Sequence, residues 1–265
     1  MAIDFPNIDP VILNIYGPFA IRWYSLAYVI GIIIGFENVK WLNKINLIKF
    51  SDKARDNILV WVITSIIIGG RLGYILLYNP SLYLNNLSDI FKLWDGGMSF
   101  HGGIIGLVIG LYIYCKKYQI SFIKLSDLFS CSAPIGIFFG RIANFINGEL
   151  YGRVTDFRYG VIFPTGGDLP RHASQIYEAF TEGLLLYIIL NLLAHKTKSL
   201  CSDGLLTGIF LSLYAIFRII IENFREPDLH IGFIFQQITL GQLLSLPMLI
   251  IGIYLICRSI KAPRL

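Results

Sequence analysis

Seven apolar stretches, separated by short polar ones, run along the chain. They occupy about 19–38, 57–78, 101–116, 125–146, 175–194, 204–223 and 237–257 and are rich in Ile, Leu, Val, Phe and Gly. Most approach the roughly 20 residues an α-helix needs to cross hydrocarbon. In lipid a backbone can satisfy its own N–H and C=O groups only as a helix or a closed barrel. The pattern therefore predicts an all-α polytopic membrane protein with about seven transmembrane helices. The third and sixth stretches are short or polar at one end, as expected of helices that stop at a cavity. Between 79 and 100, Leu82, Tyr83, Leu84, Leu87, Ile90, Phe91, Leu93 and Trp94 are interspersed with polar residues, which predicts interfacial amphipathic helices. The segment 147–174 carries Tyr151, Phe157, Tyr159 and Phe163 among glycines. It predicts a small folded periplasmic head between spans four and five of an otherwise single domain over 1–265.

Composition supports this picture. Hydrophobic residues make up 55% of the chain and charged residues 15%, against roughly 25% charged in a soluble domain. The basic residues divide by loop. One set of loops holds Lys40, Lys44, Lys49, Lys53, Arg55, Lys116, Lys117, Lys124, Lys196, Lys198, Arg258, Lys261 and Arg264; the other holds Lys92, Arg153, Arg158, Arg171 and Arg225. The positive-inside rule places the first set in the cytoplasm. The N-terminus and the head then face outward, and the C-terminus is cytoplasmic. Met1 to Pro10 contains Asp4 and Asp9 but no Lys or Arg, so no cleavable signal peptide is expected. Cys115, Cys131, Cys201 and Cys257 are scattered, without a CxxC, and support neither zinc nor a disulfide framework. The net charge of +5 is modest, and no nucleic-acid partner is expected.

Charge inside the apolar runs carries the chemistry. Arg22, Arg71, Arg141 and Arg218 all fall within predicted spans, where an ionisable group is costly and reads as functional by default. Fixed cations at membrane depth suit an anion that lives in lipid, such as a phospholipid headgroup. The run from Gly140 to Glu149 offers a guanidinium for a bidentate phosphate contact, Asn144 one turn later, then Asn147 and Glu149. Tyr214, Arg218, Glu222 and Arg225 are spaced four, four and three apart. They form one polar stripe on a helix, with Glu222 able to orient Arg218. His101 lies between two glycine pairs, Gly96-Gly97 and Gly102-Gly103, in the run that begins at Trp94; a histidine there can move a proton near neutral pH. The alternative is a helix-start histidine beside glycines that serve packing. Arg171-His172 precedes Ser174, which is placed to cap the fifth span, with Glu178 in its first turn favourable to the helix dipole. Tyr24, beside Arg22 and Trp23, is either an interface anchor or a substrate contact.

Taken together, the runs Trp94 to Gly103, Gly140 to Arg153, Leu169 to Glu178 and Tyr214 to Asp228 resemble the prolipoprotein diacylglyceryl transferases of bacterial inner membranes, in that family's order and over nearly the whole chain. Ala173 departs from the pattern, since a proline is expected after the histidine, and the segment between Phe157 and Arg171 is short. The resemblance implies transfer of the sn-1,2-diacylglyceryl group of phosphatidylglycerol to the lipobox cysteine of a prolipoprotein, giving a thioether and glycerol 1-phosphate. This is the first step of bacterial lipoprotein maturation. His101, Arg141 and Arg218 are then the catalytic candidates, with His172 competing as the base. Tyr24, Asn144, Asn147, Glu149, Gly152, His172, Tyr214, Glu222 and Arg225 join Arg141 as substrate-binding candidates: Glu149 and Glu222 orient arginines, and Gly152 leaves room for the headgroup. No metal or other cofactor is implied.

Other readings fit less well. A lipid or anion transporter usually shows internal repeats with broken helices, and none is evident. A retinal photoreceptor needs a lysine in the last span, and 237–257 has none. A phosphatidyl alcohol transferase needs a metal-binding acidic cluster, whereas these acids are dispersed. A structural scaffold leaves the buried arginines unexplained.

Overall fold

The computed structural model describes residues 2–6, 8–16, 19–45, 48–77, 80, 83, 87–92, 96–227, 232–234 and 238–261. Among them are seven long helices: α1 (Trp23–Leu42), α2 (Asp52–Leu77), α3 (Phe100–Tyr118), α4 (Phe122–Ile146), α5 (Ser174–Lys196), α6 (Leu205–Ile221) and α7 (Leu240–Lys261). Each coincides with one of the predicted apolar stretches. Among the described residues, α1, α2, α4, α5 and α7 are long and apolar enough to cross a membrane, and α6 is apolar but shorter. Large apolar side chains point away from the protein on several of them, Ile33 and Ile250 being 57% and 68% exposed. A helix apolar all round belongs in a protein core or in lipid, and these outward residues have no protein core around them.

The chain forms two compact units, Met1–Leu47 with Ser126–Leu265, and Ile48–Leu125. In the second unit, α2 and α3 pack closely because glycines face one another. A Cβ on Gly69 would lie 2.6 Å from Gly106 Cα, and one on Gly73 would lie 2.6 Å from Gly102 Cα. Small residues at such crossings let two backbones approach. Ser99 caps α3 by accepting from Gly102 N at 3.2 Å. Arg71 is 4% exposed, and its hydrogen bonds among the described residues go to backbone carbonyls. Its guanidinium donates to the carbonyls of Asp89 (2.6 Å), Ile90 (3.0 Å), Lys92 (3.1 Å), Gly96 (2.5 Å) and Gly97 (3.1 Å). It also lies over the Tyr83 ring, 5.1 Å from the centroid. Gly96 and Gly97 have φ of +78° and +80°, a region only glycine enters freely. That conformation turns their carbonyls toward Arg71. A buried arginine read as part of an anion site is therefore a clamp on the 89–97 segment.

The first unit carries the remaining helices and the head. Asn38 of α1 donates to Ser132 Oγ at 3.0 Å and to Asn191 Oδ1 at 3.1 Å, while Asn191 donates to the Cys131 carbonyl at 2.9 Å. These buried amides tie α1, α4 and α5 together. Asp127 of α4 caps the start of α6, accepting from Gly204 N (2.7 Å), Thr207 N (2.8 Å) and Thr207 Oγ1 (2.7 Å). The head closes around Phe163, which is fully buried among Phe5, Phe145 and Tyr151. Its strand β4 (Val161–Ile162) pairs in parallel with β1 (Ile3–Asp4).

One local expectation is corrected. The first span does not begin at 19. Strands β2 (Val11–Tyr16) and β3 (Phe19–Arg22) form an antiparallel hairpin, favoured by the β-branched Val11, Ile12 and Ile15, and helix starts only at Trp23 with Arg22 exposed. Between 79 and 100 the described residues include Pro80 and Tyr83, both helical, and a 3₁₀ turn at Leu87–Phe91. Much of the segment, including Trp94 and Asp95, lies outside the described residues.

Because five carbonyls depend on one guanidinium, Arg71→Ala should lower stability by about 2–4 kcal/mol, the scale of several buried acceptors left unpaired. Arg71→Lys should recover only part, since a compact ammonium cannot span all five. Thermal unfolding of the detergent-solubilised variants measures both.

Candidate functional site

In the first unit, three helices and the segment after α6 converge on a cluster of opposite charges. Glu178 of α5 is fully buried and sits at its centre. Its Oε1 accepts from Arg218 Nη1 at 2.5 Å and from Arg225 Nη1 at 3.2 Å. Its Oε2 lies 3.0 Å from Arg141 Nε but off the line of a hydrogen bond, so that contact is an ion pair. Glu222, one turn after Arg218 on α6, brings Oε2 to 3.1 Å from Arg218 Nη2. Glu182, also fully buried, stands further off, 3.7 Å from Arg218 Nη1 and 3.8 Å from Arg141 Nη2.

The local sequence explains the convergence. Residues Ala179–Leu185 form a π-helical stretch inside α5, a distortion often found at functional sites. It contains Gly183, where a Cβ would lie 2.7 Å from Phe138 Cα, so only glycine lets α5 approach α4 this closely. On α7, a Cβ on Gly241 would lie 2.8 Å from the Glu222 carboxylate; the missing side chain makes the space that Glu222 fills. Tyr214 precedes Arg218 by one helical turn and is in electrostatic reach of Glu182 and Arg218.

A second polar group surrounds Glu149. Its Oε1 accepts from Asn144 Nδ2 at 2.8 Å and Asn147 Nδ2 at 3.2 Å, and its backbone carbonyl accepts from Gln175 Nε2 at 2.6 Å. Asn147 Oδ1 and Gln175 Oε1 are buried acceptors without a hydrogen-bond partner among the described residues. Tyr24 and Tyr28 of α1 join hydroxyls at 3.2 Å, and Tyr28 lies in electrostatic reach of Arg141 and Glu149.

The structure therefore gathers Arg141, Tyr214, Arg218, Glu222 and Arg225 in one cluster, and Asn144, Asn147 and Glu149 in the second group. Glu149 holds amides, whereas the carboxylates ion-paired with Arg141 are Glu178 and Glu182. Gly152 is packed against backbone: a Cβ there would lie 2.7 Å from His172 Cβ and 2.8 Å from the His172 carbonyl oxygen. Its N–H donates to that carbonyl at 2.8 Å, and it bridges to Arg225. The glycine is thus needed for chain pairing, with Arg153 alongside donating to the Arg225 carbonyl at 2.9 Å. His172 packs against Phe157 and Phe224, with Nδ1 3.2 Å from the Tyr177 hydroxyl. This partial removal from water holds its imidazole below the usual value. His101 belongs to the second unit, exposed in the first turn of α3. Two of the glycines around it have packing roles: Gly97 lies against Tyr74 and Gly102 against Gly73.

Sequence reasoning missed Glu178 and Glu182 as acids of the cluster. Glu178 does not serve the dipole of α5, and Ser174 does not cap that helix but donates to the Leu150 carbonyl at 3.0 Å. The signal was present: two acids one turn apart inside an apolar stretch need cationic partners. Gln175 and Tyr28 carried no comparable mark.

Comparison with known proteins gives a consistent picture. The prolipoprotein diacylglyceryl transferase family profile matches residues 10–258. The phosphatidylglycerol–prolipoprotein diacylglyceryl transferase of Rickettsia felis is 53% identical over 97% of this chain and 99% of its own length. Those of Rickettsia canadensis and Rickettsia rickettsii (strain Sheila Smith) are each 54% identical, over 96% and 97% of this chain and 98% and 99% of their own.

Two outcomes follow from this geometry. Glu178→Ala leaves three guanidinia without their shared carboxylate and should cost about 3–5 kcal/mol, the scale of breaking a buried ion pair, measured by thermal unfolding in detergent. His172, with its folded value lowered, binds fewer protons folded than unfolded. Stability should therefore fall as pH drops from the ordinary imidazole range toward that lowered value, and level off below it. His172→Gln should flatten this part of a melting-temperature profile against pH.

Proposed function

Since the chain belongs to the prolipoprotein diacylglyceryl transferase family, we propose that the cluster around Glu178 is where phosphatidylglycerol is held and cleaved. The chain is a transferase that moves the diacylglyceryl group from phosphatidylglycerol to prolipoproteins, in lipoprotein maturation. The acceptor is the lipobox cysteine. Its sulfur forms a bond to the glyceryl carbon as the bond from that carbon to the phosphate oxygen breaks. The bonding pair leaves on the phosphate of glycerol 1-phosphate, and the thiol proton passes to a base.

The observation that carries this reading is the pair of guanidinia, Arg141 and Arg218, fixed from opposite helices by one buried carboxylate. Each keeps a partly exposed side chain, at 18% and 14%, so neither is sealed off from a ligand. Preorganised donors aimed at developing charge in a water-poor site are a large source of rate enhancement. Asn147 Oδ1 and Gln175 Oε1, acceptors unpartnered among the described residues, suit the hydroxyls of a glycerol headgroup. Asn144 and Glu149 fix their positions, and Tyr24 with Tyr28 lines the α1 side. The nucleophile is the thiolate. His101 is the candidate base, and His172, kept neutral by its aromatic surroundings, is the alternative.

The chain is a multi-pass membrane protein. We place all seven helices across the bacterial inner membrane, with the N-terminus, the head and the site on the periplasmic side and the C-terminus in the cytoplasm. The uneven distribution of basic residues supports this orientation.

The test is to incubate the purified protein with phosphatidylglycerol and a lipobox peptide, and to read the peptide's mass and the released glycerol phosphate. A diacylglyceryl gain that requires the peptide cysteine is expected. Lipid binding without a mass gain, using a peptide that another enzyme of the family modifies, would favour a carrier instead. Arg141→Ala and Arg218→Ala should each lower kcat by about 10²-fold or more, the scale seen when one oxyanion donor is removed, while still inserting in the membrane. A near-normal rate would exclude that arginine from the phosphate site. His101→Gln should slow turnover most at low pH, where thiolate is scarce, and a flat response would point to a different base.

A further inference from the structure

Glu182 is the least provided for of the buried acids in the first unit. It is fully buried, yet among the described residues neither carboxyl oxygen has a hydrogen-bond partner. The nearest cations are committed elsewhere. Arg218 Nη1, 3.7 Å from Glu182, already donates to Glu178 at 2.5 Å. Arg141, 3.8 Å away through Nη2, is paired through Nε with Glu178 at 3.0 Å. Glu178 itself lies one helical turn before Glu182, and like charges at that spacing repel. One carboxylate thus takes the close contacts and its neighbour takes none. An ionised carboxylate is among the most costly groups to bury without hydrogen bonds, and such a group commonly neutralises instead.

Charge gives a second, independent reason. The groups that face Glu182 are Arg141 from α4, Glu178 from α5, and Tyr214, Arg218 and Glu222 from α6, with Arg225 just beyond; α7 contributes Gly241 beside Glu222. With all three glutamates ionised, Arg141, Arg218 and Arg225 are only neutralised. If Arg225 also serves another acid, the balance becomes negative. A phosphodiester carries one negative charge, and a cluster without net positive charge gives it no reason to leave the membrane surface.

We propose that Glu182 is held as the neutral acid in the resting protein, leaving the cluster the positive charge that receives the phosphate of the lipid. It acts through Arg141 and Arg218 and is a positioning residue, one proton setting the charge of the site. The second half of this statement rests on the phosphate reading above; the first half does not.

The test is infrared spectroscopy of the full chain at neutral pH in an ester-free detergent, with and without isotopic labelling of glutamate carboxyl carbons. Labelling shifts any protonated-glutamate band and leaves aspartate, including buried Asp127, in place. The expected result is a protonated-glutamate band in the unaltered protein that disappears in Glu182→Gln. Absence of such a band from the unaltered protein overturns the proposal whether or not the variant folds, and so does a band that survives in Glu182→Gln. Normal turnover by Arg141→Ala and Arg218→Ala would remove the phosphate reading and leave the infrared assignment standing.

Discussion

The first unit depends on one carboxylate. Glu178, without solvent contact, is shared by guanidinia from α4, from α6 and from the segment after α6. Removing charges from water costs several kcal/mol per ion, and the mutual attraction offsets that only when the geometry is close. The interaction therefore fixes the approach and relative height of the helices that supply it. It also explains two glycines far apart in sequence: Gly183 lets α5 approach α4, and Gly241 leaves a space for the Glu222 carboxylate that steadies Arg218.

The contrast with Arg71 is instructive. Both units bury arginine in an apolar helix, but the partners differ. Carbonyl dipoles surround Arg71 on several sides and use its fork of donors to shape a loop. Carboxylates surround Arg141 and Arg218 and leave part of each side chain open. Residue type alone does not separate these fates. The partner does, and a carbonyl partner lies on a loop whose position no helical spacing reveals.

Much of this was legible in the sequence because lipid imposes a long-range constraint on it. Continuous apolar stretches located all seven helices to within a few residues, and Arg218 with Glu222 was readable from their four-residue spacing. Strand β3 was absorbed into the first stretch because Phe and Ile suit a strand as well as a span. The acids opposite Arg141 were missed for a different reason. Pairing between helices depends on which faces meet, and a π-helical stretch shifts that face in a way 3.6-residue periodicity does not encode. The packing around Gly152 was not legible either, since what occupies the space beside it is His172 and the Phe224 carbonyl, known only after folding.

The pairing of Ile3–Asp4 with Val161–Ile162 has a consequence of parity. Two strands joined edge to edge lie on the same side of any membrane between them. The chain from one to the other must then cross an even number of times. Four helices, α1 to α4, lie between them. Three of these are apolar and long enough to cross by themselves, an odd number, so α3 supplies the fourth crossing in the proposed topology despite its glycines. The bridge from Gly152 to Arg225 imposes the same rule on α5 and α6. In the proposed topology only α7 is left unmatched, and its single further crossing carries the C-terminal basic residues to the opposite face. A few backbone hydrogen bonds thus fix the parity of the crossings between the residues they join.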